Sequence, residues 1–345
     1  MKALLIEEVN KPYTLRTDVA VPKVKPGMIL VCSKAAGFCH TDVMALAGHT
    51  NPPLPTVPGH ENVGVVAALG EGVTGFNIGD RVGAYLYRNP CHECRECKNK
   101  TYNYCDKVTL AGLNGDGGMA EYFLADALWT VHLPDALAFE KAAPLMCAGG
   151  TVYQSILNAK LDKGKIMAIV GIGGLGHLGV QFAKVMGYRV VAVDTRSAPL
   201  DLVSHLPPRL APDLVINPTD GVDKTLERIA ATFDGATGVD CTVVCTDALP
   251  AFQFSMDIMA KHSVLVFVGL PLEPVPFHFS FFLNKDAIVV AGALGPKESL
   301  QEMLELAVKE DIHVEIKEYT MENANQMLKD YENEGMKGKF VVRIE

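Results

Sequence analysis

The sequence predicts an α/β chain of two domains: a doubly wound parallel sheet and a mainly-β domain beside it. Three observations predict it. Six short, β-branched apolar runs between residues 151 and 295 alternate with stretches of helical spacing. The first of these runs leads directly into a glycine-rich loop. Residues 1 to 150, by contrast, are rich in glycine and proline and short on long helical patterns.

In the first part, "MILVCSKAAG" and "NVGVVAALG" read as strands closed by turns. The six parallel strands are "KIMAIVG", "RVVAVD", "DLVIN", "VDCTVVC", "SVLVFVG" and "AIVVAGA". Such near-continuous apolar runs suit strands covered by helices on both faces. After the glycine loop, Leu175, Leu178, Phe182, Val185 and Met186 fall at helical spacing, with Gly187 as the stop. After "RVVAVD" the helical pattern is interrupted by the prolines of "SHLPPRLAP". Residues 296 to 345 offer one helix, "ESLQEMLELAVKE", and a final strand, "KFVVRIE".

Composition narrows the function. The 345 residues are 49% hydrophobic and 21% charged, ordinary values for a chain with sizeable cores. A net charge of −9 argues against nucleic acid as a partner, because phosphate backbones need a basic face. It leaves room for a small anionic cofactor held by local groups. "MKALLIEEVN" places acids directly after a short apolar run and lacks the pattern of a secretory signal. No apolar stretch reaches the roughly 18 residues of a membrane span. A cytoplasmic location without membrane attachment is the expectation. In that compartment clustered cysteines bind metal more often than they pair.

Four of the nine cysteines lie in "CHECRECKNKTYNYC". Cys91, Cys94, Cys97 and Cys105 follow C-x2-C-x2-C-x7-C, a spacing that lets four thiolates converge on one zinc and leave no open position. Such a metal is structural. Free surface thiols, an iron–sulfur cluster, and His92 as an extra ligand are the competing readings. A second, dispersed set offers different chemistry: Cys39 in "GFCHTD", His60 and Glu61 in "VPGHENVG", and Cys147 in "LMCAGGTVY". Two cysteines and a histidine leave a fourth position for water or substrate, the composition of a catalytic zinc. Asp42 is a candidate to accept the free ring N–H of His60. In "GIGGLG", Gly171, Gly173, Gly174 and Gly176 open a helix after a strand, where a pyrophosphate can approach the backbone. Eighteen residues after Gly176, Asp194 ends the next strand, placed to accept the adenosine ribose hydroxyls of NAD.

These stretches, with "GDGGMAEY", resemble the zinc-dependent medium-chain alcohol dehydrogenases, in order and over nearly the whole chain. The resemblance implies a GroES-like catalytic domain made of residues 1–149 and 296–345, around a Rossmann domain of residues 150–295. It implies two zincs per chain, with Cys39, His60, Glu61 and Cys147 at the catalytic one. Thr41 matches the hydroxyl that takes the alcohol's proton. His40 and Lys339 match positions at the cofactor's pyrophosphate, Leu175 and Val268 are further expected cofactor contacts, and Tyr87 lines the substrate pocket. Arg196 stands close enough to Asp194 to leave some tolerance of NADP. The short link from the cysteine loop to "GDGG" resembles that of homotetrameric members.

Three departures bear on substrate and proton path. Met44 stands where many relatives carry a histidine that ends the proton relay, the helix after Asp194 is interrupted, and "AGALGPKES" lacks a commoner serine and arginine. The expected activity is zinc-dependent interconversion of an alcohol and an aldehyde or ketone with NAD(H). The rivals are NAD(P)H-dependent reduction of an activated C=C bond on the same fold, a non-catalytic binding protein that retains the fold, and a zinc-ribbon nucleic-acid binder.

Overall fold

The computed structural model describes residues 1–345. After a short antiparallel pair at Ala3–Leu5 and Thr14–Arg16, its mainly-β part is built on strand β1 (Met28–Phe38), followed by the short helix α1 (His40–Leu46). Strands β2 (Glu61–Leu69), β3 (Arg81–Ala84), β4 (Tyr122–Asp126) and β5 (Thr130–His132) follow. Helix α2 (Ala148–Asn158) then leads into the second sheet.

That sheet comprises β6 (Ile166–Val170), β7 (Arg189–Val193), β8 (Leu214–Ile216), β9 (Val239–Val244), β10 (Met259–Phe267) and β11 (Ile288–Ala291). These are the six runs read from the sequence. They pair parallel throughout, in the order β8-β7-β6-β9-β10-β11. The order reverses between β6 and β9, where an open parallel sheet leaves a crevice beyond its strand ends. Helix α3 (Gly176–Val185) packs Leu178 and Phe182 into the core, and Gly187 takes φ +96° beyond its end. Helix α4 (Ser197–Ser204) forms after β7 and stops at His205, just before the Pro207–Pro208 pair.

The remaining chain returns to the first sheet. Helix α5 (Lys297–Lys309) is the expected one. Strand β12 (Ile316–Thr320) and helix α6 (Ala324–Tyr331) were not expected. "IKEYT" carries charges and lies at the sheet edge, so its apolar alternation is weak. The final strand β13 (Lys339–Arg343) sits between β12 and β1 in a seven-stranded sheet of order β12-β13-β1-β2-β3-β5, with β4 also paired to β1. The largest apolar cluster spans both sheets. Leu145 and Met146, just before α2, pack in the same cluster as Val63 of β2, Val341 of β13 and Ile169 of β6. No helix is long and apolar enough to cross a membrane.

Candidate active site

A cavity of about 880 Å³ lies between the two sheets. One wall is the crevice beyond β6, β7 and β9, where Gly171, Gly173, Gly174, Leu175, Asp194, Arg196 and Thr246 line it. The opposite wall carries Cys39, Thr41, Tyr87 and Cys147, with Val268, Tyr331 and Lys339 between.

The glycine loop has the shape its sequence implied. Gly171 has φ +90°, and a Cβ there would meet the Thr246 side chain at 3.0 Å. A Cβ on Gly176 would lie 2.0 Å from the Gly171 carbonyl, so only glycine lets α3 start this close to β6. Gly173 faces the cavity, with only the Arg196 guanidinium within 4 Å of the place a Cβ would take.

Asp194 sits beside this loop, but its carboxylate is fully engaged. One oxygen accepts the Ile172 N–H at 2.7 Å and Arg196 Nη2 at 3.1 Å. The other accepts the Arg196 backbone N–H at 2.9 Å and its Nε at 3.1 Å. Four donors fill the usual capacity of a carboxylate. A ribose hydroxyl must therefore compete with the Arg196 guanidinium, a pairing the sequence did not disclose.

The dispersed ligand set converges. Cys39 ends the extended segment after β1, His60 and Glu61 open β2, and Cys147 precedes α2. One donor atom from each lies within 4.8 Å of all the others. Asp42 on α1, fully buried, holds the arrangement together. It accepts the backbone N–H of Cys39 at 2.9 Å and that of Gly59 at 3.2 Å, and lies 3.1 Å from His60 Nδ1. This leaves His60 Nε2 buried without a hydrogen-bond partner, and Glu61 Oε2 likewise. Contact with Cys147 draws the Cys39 thiol well below the usual value, while Cys39 and burial push Cys147 well above it. Two adjacent thiols, an orphaned imidazole nitrogen and an orphaned carboxylate oxygen fit a divalent cation with soft ligands.

Lys339, expected at the pyrophosphate, ends elsewhere. Its stem passes Gly174, but its buried ammonium donates to Glu61 Oε1 at 2.7 Å. Burial pushes Glu61 up to about 7 against the pull of Lys339. His40 stands at the cavity, its Nε2 3.4 Å from Asp247 Oδ2. Thr41 Oγ1 lies 3.9 Å from Cys39 Sγ. Thr246, Asp247 and Tyr331 are cavity residues that sequence reasoning missed. The first two follow β9, and their place beyond a parallel strand was available as a signal; Tyr331, on the unforeseen α6, carried none.

The four-cysteine loop forms a separate site. Its sulfurs lie within 4.8 Å of one another, with Cys91 and Cys97 3.9 Å apart. That matches the edge, about 3.8 Å, of a tetrahedron with metal–sulfur distances of about 2.3 Å. Backbone N–H groups of Cys94 and Cys97 point at the sulfurs of Cys91 and Cys94. His92 turns its ring to Tyr102, 5.9 Å away.

Comparison with known proteins gives a consistent picture. Residues 25–135 match the alcohol dehydrogenase GroES-like domain family, and residues 174–309 the zinc-binding dehydrogenase family. The chain is 36% identical to an alcohol dehydrogenase of Geobacillus stearothermophilus, over all of both chains. It is 32% identical to an alcohol dehydrogenase of Rhizobium meliloti, over 100% of this chain and 99% of the relative. Among solved structures, the alcohol dehydrogenase of Aeropyrum pernix is similar with a TM-score of 0.88 and 28% identity over all of both chains. Acetophenone reductase of Geotrichum candidum, solved with NAD, is similar with a TM-score of 0.84 and 26% identity, covering 99% of this chain and 97% of that one.

Proposed function

The chain belongs to the zinc-type medium-chain alcohol dehydrogenases, and we infer that its reaction, interconversion of an alcohol and an aldehyde or ketone, takes place in the interdomain cavity with NAD(H). The observation that carries this reading is the meeting of a converging Cys39–His60–Cys147 set, whose two cysteines line the cavity, with a glycine loop at a strand-order reversal on its other wall. Residues 1–149 and 296–345 are read as the catalytic domain, and 150–295 as the cofactor domain.

Cys39, His60 and Cys147, with Glu61 in reach, would hold a zinc ion, which supplies Lewis acidity at the substrate oxygen. The glycine loop, Asp194, Arg196 and Val268 would hold NAD(H), which supplies or accepts the hydride. Cys91, Cys94, Cys97 and Cys105 would hold a second zinc that orders their loop. Asp42 fixes the His60 tautomer, so that Nε2 faces the other donors. Thr41 carries the hydroxyl that receives the proton of the alcohol and passes it outward. Tyr87, whose phenol burial pushes up to about 12, stays neutral and forms the substrate wall. Lys339 balances the buried charge of Glu61 beside the cavity.

An assay that follows NADH absorbance over alcohols, aldehydes, ketones and activated alkenes tests the reading. Consumption of alkenes alone would overturn it. The cofactor assignment has its own test. Asp194→Gly removes the carboxylate for which ribose hydroxyls compete with Arg196 and frees the guanidinium for a 2′-phosphate. The ratio of kcat/KM for NAD over NADP should fall by roughly tenfold or more, the worth of one charge-assisted hydrogen bond. A wild type that already prefers NADP would remove that role from Asp194.

The chain is also read as a homo-oligomer, a tetramer before a dimer. Support comes from the edge strand β11, where Ile288 is exposed next to exposed Phe279 and Leu283, an apolar edge that a second copy could cover. Light scattering that gives the mass of a single chain would exclude it.

A further inference from the structure

A row of aromatic rings connects the two cysteine sites. Tyr87 lines the cavity beside Cys147. Its ring lies 5.4 Å from that of Trp129, and Trp129 meets Tyr102 edge-on at 6.1 Å. Tyr102 stands on the short turn between Cys97 and Cys105 and reaches His92, between Cys91 and Cys94. At the other end Tyr85, fully buried, meets Tyr87 edge-on at 6.4 Å.

The backbone ties the same pieces together. Tyr87 and Arg88 pair with Thr109 and Leu110, and that second strand follows Cys105 within four residues. Asp126 accepts the Asn89 N–H at 2.9 Å and the Leu128 N–H at 3.0 Å. One carboxylate thus anchors both the chain after Tyr87 and the turn that carries Trp129. Aromatic rings are rigid plates with few rotatable bonds, and close-packed plates do not shift one at a time.

We propose that Tyr102 and Trp129 are positioning residues for Tyr87, so that the order of the four-cysteine loop sets the width of the substrate end of the cavity. The proposal rests on the cavity being the site of alcohol oxidation. Tyr87 touches substrate; Trp129 and Tyr102 act through it. Substrate preference is then held partly by a loop that lines no part of the cavity. Loosening the loop should widen the cavity at Tyr87 and leave the glycine loop untouched, since that loop lies on the other sheet.

The test uses Tyr102→Ala, Tyr102→Phe and Trp129→Phe in the full chain. Trp129 is the chain's single tryptophan, so its emission reports on the row without labelling. Tyr102→Ala should shift Trp129 emission and increase quenching by acrylamide. It should change the kcat/KM ratio between a bulky and a small primary alcohol by roughly three- to tenfold, the worth of one ring–ring contact. The change should lie in KM, with kcat for the small alcohol within about twofold and NADH affinity unchanged. Tyr102→Phe should restore emission and selectivity, because the ring and not the hydroxyl makes the contact. Should Tyr102→Ala fail to fold, Trp129→Phe, which trims the central ring, should show the same shift in selectivity. Unchanged selectivity in both variants overturns the proposal, as does a uniform loss of turnover and NADH affinity that follows melting temperature. A wild type that oxidises no alcohol overturns the assigned reaction and this proposal together; an active wild type with unshifted variants overturns this proposal alone.

Discussion

His60→Ala will give a folded protein that still binds NADH, contains one zinc fewer than the wild type, and turns over at least about a thousandfold more slowly. The factor follows from the several kcal/mol that a Lewis acid contributes at a reacting oxygen. Folding should survive because His60 meets its surroundings through Asp42, and Asp42 keeps the backbone N–H groups of Cys39 and Gly59 when the ring is gone. Cofactor affinity should survive because the glycine loop belongs to the other sheet. Asp42→Asn should be milder. It keeps an oxygen for the ring but loses the charge, a change that in comparable sites costs about 10- to 100-fold in metal affinity or activity. Metal content, NADH titration and turnover on the same samples decide the matter. Wild-type turnover in His60→Ala would dismantle the assignment of the catalytic site.

Cys97→Ser should fail in the opposite manner, by losing stability first. Cys97, with Cys105, is among the most enclosed residues of a loop with little regular structure: four residues of helix at Arg95–Lys98 and one turn at Tyr102–Tyr104. Beyond the apolar contacts of Tyr102 and Val108 with the main core, its order depends on four converging sulfurs. Structural zinc sites contribute about 10–16 kcal/mol to folding in small peptides. Removing one of four ligands should therefore lower the melting temperature by on the order of 10 °C, with activity falling as the folded fraction does. Calorimetry beside metal analysis would show it. A Cys97→Ser protein of undiminished stability with two zincs bound would mean that the loop does not depend on its metal.

The two candidate ligand sets and the parallel sheet were legible for different reasons. Buried parallel strands must be apolar on both faces, so runs such as Ile166–Val170 cannot hide among polar residues. The four clustered cysteines are close in sequence because the loop is local. Cys39, His60 and Cys147 are dispersed, and they became readable only through the stretches around them. What escaped was nonlocal or weakly patterned. Glu61 and Lys339 are paired across 278 residues, and nothing near either position announces the other. The hold of Arg196 on Asp194 depends on a side-chain rotamer, which spacing does not encode. Strand β12 is a charged edge and helix α6 is short, so their signals sank into the surrounding polar sequence.

The place of β13 bears on how the protein is made. Phe340 pairs with Phe38, and β13 is flanked by β12 on one side and β1 on the other. The parallel sheet uses residues 166 to 291 and can close as soon as they leave the ribosome. The other sheet cannot: the Ala35–Phe38 end of β1 waits, beside the part already paired with β4, for a partner synthesised some 300 residues later, which at about 5–20 residues per second is a delay of roughly 15 to 60 seconds. During that interval an apolar strand edge stands open beside a finished nucleotide-binding sheet. Chains stalled before residue 339 should accordingly resist proteolysis across residues 166 to 291 and be cleaved within the first 149. Equal resistance of both parts would show that β1 finds shelter before its partner arrives. A sheet closed by β13 is thus a checkpoint in time: the first sheet can be completed only on a chain translated through residue 343.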